Sequence, residues 1–413
     1  MKTKLPVLAM ACLIVSGFGA AKAALVGAPY PNSTFITGIS FNFSSIQTYA
    51  PGSDIWPATW AADNNIYTAW GDGDGFHGTT KVSWGVGKVA GAITAPTTTD
   101  VYYGPAGSHL GKMRDLMAVN GSTLYGWNGT QDAAGDCVLM TSTNNGAAWS
   151  TSTWHFQGST EFAPCSFVQF GKNYAGARDG YIYTYGTLPT PTNTVIYLAR
   201  ALIANMGNRT NYQYCTNIDA NNQASWGSIS NLVPVFQDLG VGSSGIATVY
   251  DAGLGRYLLT ENAGDAGGVD VYEGLEPWGP WKTITYQTNW GNLGGAGEMT
   301  GFTFPSKWMS ADGKSLGLFF APYGSTNNNW NDHLCTMSVT LTLAPTISIV
   351  QLTNGVALTW PIQTESFIVE SATNLVGPFN VESPVLSTNL TQQTITATLP
   401  FSTRQKFFIL KGQ

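Results

Sequence analysis

Short apolar strands joined by tight turns recur along most of this chain, and this recurrence limits its possible folds more than any other feature. From residue 54 to about residue 343, an apolar strand, a turn rich in Gly, Asn or Asp, and a second strand ending in a polar loop repeat five times. The repeats begin at PATWAAD, LMAVNGS, FVQFG, IATVYDAGLG and FTFPSKWMSADGKS. Amphipathic helical periods of about 10–15 residues are missing from this region. The sequence predicts an all-β fold, a five-bladed β-propeller, with a large sandwich or irregular barrel as the alternative.

The pattern changes near Ala344-Pro345. Residues 344–413 contain few glycines and alternate polar with apolar residues, as in ISIVQL, VALTW, FIVES, ITATL and FFIL. This alternation is typical of a small antiparallel sandwich of the fibronectin type III class. No group of candidate catalytic residues occurs in it. We therefore expect an accessory module at 344–413, following a propeller domain at 24–343.

The first 23 residues predict export. Lys2 and Lys4 precede a short apolar stretch, and Ala21-Lys22-Ala23 has the small-x-small pattern that precedes a cleavage site. Lipidation at Cys12 is a weaker alternative, since little apolar sequence precedes that cysteine. No later segment is long and apolar enough to predict a membrane span. The expected protein is secreted, to the periplasm, the medium or the cell surface.

Charge and cysteine content narrow the class of partner. The net charge is −6, and removing Lys2, Lys4 and Lys22 gives −6 − 3 = −9 for the mature chain. An acidic chain argues against nucleic-acid binding, which needs clustered Lys and Arg.

Cys137, Cys165, Cys215 and Cys335 follow the predicted signal peptide. Four cysteines in an oxidising compartment predict disulfides, with three pairings open.

The repeat predicts a functional location. In each unit the second strand returns antiparallel to the first, so the start of the first and the end of the second lie at one end of the sheet. Charged residues make up only 10% of the chain, yet many fall at these positions. They would surround one axial pocket. The sequence thus predicts a site lined by carboxylates, cationic side chains and aromatic rings.

Paired carboxylates with aromatic and amide neighbours suit glycoside cleavage, in which one carboxyl protonates the leaving oxygen and the other attacks or activates water. Asp54 and Asp72 are the first candidates, because they flank the inner hairpin of the first unit. Asp179, beside Arg178, is the third. The catalytic candidates are Asp54, Asp72, Asp179, Glu161 and Glu261, the last two as alternative acids. The candidates for sugar binding are Trp56, Lys112, Trp127, Asn128, Arg178 and Tyr323. Strand capping, turn formation, ion pairing and core packing are the structural alternatives for these residues.

Several segments together resemble a known family: SDIWPATWAADNNIYTAWGDGDGF, FAPCSFVQFGKNYAGARDGYIYTY, DAGLGRYLL, EPWGPW and FPSKWMSADGKS. The family consists of secreted bacterial proteins formerly classed as a domain of unknown function, and it includes endo-acting D-arabinan hydrolases. The resemblance covers roughly residues 40–343. It implies a five-bladed propeller similar to those of arabinanases and furanosidases, and a glycoside hydrolase activity.

The sequence leaves a second class of function open. A non-catalytic carbohydrate-binding or cell-surface propeller would have the same fold, because fold alone assigns no chemistry. Under either interpretation the partner is a polysaccharide or oligosaccharide, and we expect a monomer. No cofactor is required. A structural calcium ion in the axial channel is compatible with related propellers.

Overall fold

The computed structural model describes residues 27–106, 111–129, 136–158, 160–189, 195–238, 245–263, 268–287, 290–292, 298–323, 330–345, 347–361, 367–374, 377–390, 394–400 and 406–412. The predicted signal peptide, residues 1–23, lies outside them. The described chain divides into two compact units, a larger one within 25–33 and 38–342 and a smaller one that includes 34–37 and 343–413.

The described residues are almost entirely β-structure. Before residue 344 the strands are β1 (Ile36–Tyr49), β2 (Asp54–Trp60), β3 (Ile66–Gly73), β4 (Val82–Ala90), β5 (Thr97–Tyr103), β6 (Lys112–Val119), β7 (Thr123–Gly129), β8 (Cys137–Ser142), β9 (Ser150–Phe156), β10 (Ala163–Gln169), β11 (Tyr181–Thr187), β12 (Val195–Leu202), β13 (Gln213–Ile218), β14 (Ala224–Gly227), β15 (Phe236–Gln237), β16 (Ile246–Asp251), β17 (Arg256–Ala263), β18 (Gly268–Glu276), β19 (Gly279–Gln287), β20 (Glu298–Thr303), β21 (Ser315–Tyr323) and β22 (Leu334–Leu343).

Helical structure in the described ranges is limited to single 3-10 turns at Lys172–Tyr174, Ile203–Asn205, Arg209–Asn211, Ile229–Asn231, Trp290–Asn292 and Ser306–Trp308. In these same ranges, no helix has the length and apolar character needed to cross a membrane. The expectation of a β-rich chain is confirmed.

The strands pair as the repeat predicts, mostly in antiparallel groups of four. Three sheets have the orders β2-β3-β4-β5, β6-β7-β8-β9 and β1-β22-β21-β20. A larger sheet has the order β14-β13-β12-β11-β10-β16-β17-β18-β19, with β15 paired to β12. Two groups are joined in it by β10 and β16, which run parallel through Val168↔Thr248 and Gln169↔Val249.

The first strands of the groups are neighbours in a closed cycle. β2 contacts β6 and β20, β6 contacts β10, β10 pairs with β16, and β16 contacts β20. The strands next to this cycle are buried on both faces: all but one residue of β3 is buried, whereas the outer strand β5 is partly or fully exposed throughout. Burial on both faces explains the apolar runs in the inner strands and the polar TTTD at the edge.

The third repeat differs from the prediction. The expected second strand, NYAGA, is a 3-10 turn at Lys172–Tyr174, and the strand that pairs with β10 is β11. Tyr174 lies at φ 61°, is buried, and donates its hydroxyl to the Tyr181 carbonyl at 3.0 Å. This anchored aromatic side chain holds the segment in a compact turn, although its alternation of residues is typical of a strand.

The smaller unit contains β23 (Ser348–Leu352), β24 (Gly355–Pro361), β25 (Phe367–Ala372), β26 (Asn380–Val381), β27 (Val385–Asn389), β28 (Thr394–Pro400) and β29 (Phe407–Gly412). They form two sheets, β23-β24-β28-β27 and β26-β25-β29. One apolar cluster draws on both sheets, with Leu358 and Trp360 from the first and Val369 and Leu410 from the second. The alternating pattern thus buries one face of each sheet.

None of the predicted disulfides is present in the described residues. Cys137, Cys165, Cys215 and Cys335 are free thiols, and they lie on four different strands, β8, β10, β13 and β22. Burial raises the pKa of the Cys137 and Cys165 thiols to about 12. Thiols held in this way behave as small apolar core residues, so the even cysteine count has a packing explanation.

A buried carboxylate joins the second and third groups. Asp115 on β6 accepts hydrogen bonds from the backbone nitrogen of Leu116 at 2.7 Å, the backbone nitrogen of Phe167 at 2.6 Å and the Ser166 hydroxyl at 3.0 Å. Burial raises its pKa to about 7, and these hydrogen bonds oppose the rise. Asp115 therefore fixes the position of β10 against β6.

We expect Asp115→Ala to lower the free energy of unfolding by about 3 kcal/mol or more, because three buried donors lose their acceptor. Asp115→Asn retains one acceptor oxygen and should cost less. Urea unfolding followed by tryptophan fluorescence measures both. Wild-type stability in the alanine variant would contradict the bridging role of Asp115.

Candidate functional site

The candidate site is built around Gly71. Asp54, at the start of β2, lies opposite Gly71 on β3. A Cβ atom at position 71 would lie 2.5 Å from Asp54 Oδ1 and 3.2 Å from Lys112 Cδ. The missing side chain therefore lets the Asp54 carboxyl and the Lys112 stem lie over the same stretch of backbone. Sequence spacing had placed Asp54 and Asp72 at this end of the first hairpin, and the strand register agrees.

Lys112 connects the first strand group to the second. Its ammonium forms an ion pair with Asp72 Oδ1 and donates a hydrogen bond to the Ser83 carbonyl at 3.0 Å. Both side chains are partly exposed, at 26% for Lys112 and 22% for Asp72. Asp72 has a φ of 46°, in the left-handed region that aspartate tolerates better than most residues. Lys112 thus fixes a carboxylate while keeping it in reach of solvent.

Asp54 has a different environment from Asp72. It is half-buried, and its Oδ1 atom accepts no hydrogen bond from the described residues. Burial raises the pKa of Asp54 to about 6. Lys112 lowers this pKa and Asp72 and Asp332 raise it. Two neighbouring carboxyls therefore have different surroundings, one desolvated and one ion-paired.

Two charged residues of this site, Asp332 and Lys81, were not among the residues predicted from the sequence. The Asp332 carbonyl accepts hydrogen bonds from the backbone nitrogens of Gly52 at 2.7 Å and Ser53 at 3.1 Å, directly before Asp54. Lys81 precedes β4, whose Val82 pairs with Gly73 at the end of β3. In an antiparallel sheet the third strand of a group, here β4, begins at the end where the second strand, β3, stops. The position of Lys81 just before β4 could therefore have been predicted from the sequence. Asp332 lies nine residues beyond the end of β21, so the strand pattern does not predict its position.

The two tryptophans predicted to bind sugar are core residues. Trp56 and Trp127 are each 0% exposed. The Trp56 indole nitrogen donates to the Ser53 carbonyl at 3.0 Å, and that of Trp127 to the Thr184 hydroxyl at 2.9 Å. Neither ring has a free face for a sugar, because Trp56 packs on Phe76 and Trp127 stacks on Phe167. Core packing, the structural alternative, explains both.

Asn128 and Tyr323 lie where the repeat places them. Asn128 pairs with Met113 beside the start of β6, and Tyr323 ends β21 opposite Glu298. Asn128 is buried, and its amide nitrogen donates no hydrogen bond to the described residues. Tyr323 is 49% exposed. Among the predicted sugar-binding aromatics, Tyr323 is the one with an accessible ring.

The predicted location of Arg178 and Asp179 is wrong. They precede β11, so they lie at the end of the β10–β11 pair opposite to the start of β10. Asp179 accepts hydrogen bonds from the Tyr181 nitrogen at 2.9 Å and the Tyr183 hydroxyl at 2.7 Å, while Arg178 pairs with Glu276 at 2.7 Å. Both residues stabilise turns away from the candidate site.

The two glutamates also have structural partners or no access to solvent. Glu161 forms an ion pair with Arg209 and accepts a hydrogen bond from the Gln157 nitrogen at 2.8 Å. Glu261 pairs with Ile246 at the predicted end of its hairpin, but it is 0% exposed. Glu261 has no access to a substrate, and Glu161, whose side chain is 21% exposed, is held by Arg209 and the Gln157 nitrogen. Asp54 and Asp72 are the predicted carboxyls that the structure brings together.

Comparison with known proteins gives distant likenesses. No family model matches the sequence, and neither does any curated protein. RS223-β-xylosidase is similar in structure with 12% identity and a TM-score of 0.44, over 73% of this chain and 96% of that chain. CoXyl43, a β-xylosidase/α-arabinofuranosidase from a compost metagenome, has 13% identity and a TM-score of 0.42, over 78% and 96%. A GH43_1 enzyme from Xanthomonas citri has 13% identity and a TM-score of 0.38, over 78% and 92%. At these scores the likenesses carry no argument about activity.

Gly71→Ala tests the close approach at the centre of the site. The new methyl group would overlap Asp54 Oδ1 and lie 2.7 Å from Ile55 Cδ1, so we expect a loss of about 1–3 kcal/mol in unfolding free energy. Gly207→Ala is the matched control, because no atom lies within 4 Å of its added Cβ. Urea unfolding compares the two variants. Equal stability would show that position 71 has room for a side chain.

Proposed function

We propose that this protein is a glycoside hydrolase whose acid/base pair is Asp54 and Asp72. One observation carries the proposal: a partly exposed, desolvated carboxyl and an ion-paired carboxylate lie together at the start of β2 and the end of β3. Glycoside cleavage requires two carboxyl groups with different proton occupancy beside the scissile bond. The surroundings of the two carboxyls assign the roles: the desolvated carboxyl acts as the acid, and the ion-paired one acts as the carboxylate.

In this proposal Asp54 donates the proton to the departing glycosidic oxygen. Its pKa of about 6 keeps a usable fraction protonated in mildly acidic solution. Asp72, the carboxylate, attacks the sugar or activates a water molecule. Lys112 positions Asp72 and hydrogen-bonds sugar hydroxyls, and the exposed Tyr323 ring stacks against a sugar face.

The proposed architecture is a five-bladed β-propeller followed by a fibronectin-like sandwich. The closed cycle of β2, β6, β10, β16 and β20 supports five blades, and the shared core of the two C-terminal sheets supports the sandwich. Asp54 and Lys112 begin the first two of these inner strands. The pocket that we propose therefore opens at the end of the propeller where the inner strands start.

The substrate class that we propose is a neutral polysaccharide, with an arabinan-type furanoside as the first choice. The charges around Asp54 balance, because Asp72 and Asp332 are opposed by Lys112 and Lys81, and a site without excess charge suits an uncharged sugar. Export by the predicted signal peptide would bring the enzyme to such polymers. The family resemblance of residues 40–343 supports the arabinan choice.

The purified protein should release new reducing ends from arabinan, arabinogalactan or another neutral polysaccharide. We expect Asp54→Asn and Asp72→Asn each to lower kcat by at least about 100-fold, because each removes one half of the acid/base pair. Asp63→Asn is the control, since Asp63 lies in the turn at the other end of the same hairpin and holds Asn65 and Tyr67. Polysaccharide binding without products would favour the binding protein. Full activity in both site variants would reject the site.

The pH profile tests the assignment of Asp54 as the proton donor. Activity that needs protonated Asp54 should fall as pH rises through about 6. Because Lys112 lowers the pKa of Asp54, Lys112→Met should move this alkaline limb of kcat/KM to higher pH. A limb at an unchanged pH, or activity that rises between pH 5 and 7, would contradict the assignment.

A further inference from the structure

Three carboxyl groups meet inside the larger unit, on strands other than those of Asp54 and Asp72. Asp238 follows β15, Glu261 lies near the end of β17, and Asp270 lies on β18. One oxygen from each lies within 4.8 Å of an oxygen from both others. Glu261 and Asp270 face each other across the β17–β18 ladder. All three residues are buried, with exposures of 1%, 0% and 1%.

Glu261 and Asp270 are short of hydrogen-bond donors among the described residues. Neither oxygen of Glu261 accepts a hydrogen bond from the described residues, and neither does Asp270 Oδ2. Asp270 Oδ1 accepts one from the Gln287 nitrogen at 3.0 Å. Asp238 accepts from the Tyr272 hydroxyl at 3.0 Å and the Tyr286 hydroxyl at 3.4 Å. A buried carboxylate without donors is costly, so Glu261 in particular requires a compensating partner.

The neighbouring carboxyls raise the free-energy cost of keeping Glu261 ionised in the interior. Burial raises its pKa well above the ordinary value, and Asp238 and Asp270 raise it further. Burial also raises the pKa of Asp270, to about 8. Either these groups hold protons or a cation compensates them.

The geometry favours a cation. Calcium binds oxygen ligands at about 2.3–2.6 Å, so two ligands of one ion lie at most about 5 Å apart. The 4.8 Å limit on the oxygens of Asp238, Glu261 and Asp270 is within that span. All three ligands are carboxylates. Hard divalent cations such as calcium prefer these oxygen donors, whereas softer metals prefer nitrogen or sulfur.

We propose that Asp238, Glu261 and Asp270 form a buried binding site for a divalent cation of the calcium type. The bound ion would connect the end of β15 to the paired strands β17 and β18. It would stabilise the fold rather than take part in glycoside cleavage. Glu261 cannot act as a catalytic acid because it has no access to solvent. In the proposed site its role is to bind the cation.

The test uses the full-length protein, dialysed against a chelator and then supplied with calcium chloride. We expect about one calcium per chain by elemental analysis after removal of free metal, and a melting temperature several degrees higher with calcium than with chelator. Glu261→Gln, which keeps size and shape, should weaken calcium binding at least about tenfold by calorimetry. Asp270→Asn should do the same if Glu261→Gln does not fold.

Asp251→Asn is the matched control. Asp251 is a buried carboxyl in the turn at the other end of the β16–β17 hairpin, where it accepts from the Gly253 nitrogen at 2.9 Å. Its variant should keep the full calcium response. Wild-type protein that neither contains calcium nor melts differently with calcium and chelator would overturn the proposal. The cluster would then be three carboxyls that share protons.

Discussion

The ion pair between Lys112 and Asp72 is the contact on which the candidate site depends. It joins the first residue of one inner strand to the end of the neighbouring hairpin, so it fixes both the spacing of two strand groups and the orientation of a carboxylate. The same ammonium lowers the pKa of Asp54. One cation therefore acts on both carboxyls, and Gly71 makes this possible because it has no side chain to separate them.

Charged residues are scarce in this chain, and those that are partly or fully buried have four kinds of surroundings. Asp115 satisfies backbone donors between two strand groups, and Arg209 neutralises Glu161. Asp54 is only partly compensated, and in the proposed function it is the group that donates the proton. Asp238, Glu261 and Asp270 crowd together, an arrangement that is stable only with protons or a cation. The surroundings of each carboxyl, more than its residue type, separate structural from reactive roles.

The sequence predicted those features that follow from the local geometry of hairpins. The antiparallel return of the second strand placed Asp54, Asp72, Lys112, Asn128 and Tyr323 at the correct strand ends. It failed for Arg178 and Asp179, because the buried Tyr174 turns NYAGA into a 3-10 turn where the residue pattern favours a strand. Contacts between residues that are distant in sequence could not be predicted from the strand pattern. The burial of Trp56 and Trp127, the partner of Glu161 and the position of Asp332 all depend on how separate hairpins pack.

We propose that a substrate binds with its glycosidic bond between Asp54 and Asp72, and the location of a bound sugar tests this most directly. Crystals of the Asp72→Asn protein, soaked with an arabino-oligosaccharide or another oligosaccharide that it binds, would show that location. We expect a glycosidic oxygen within hydrogen-bonding distance of the Asp54 carboxyl, with Lys112 near a sugar hydroxyl. An oligosaccharide bound only elsewhere, with Asp54 and residue 72 in contact with protein and solvent alone, would contradict it.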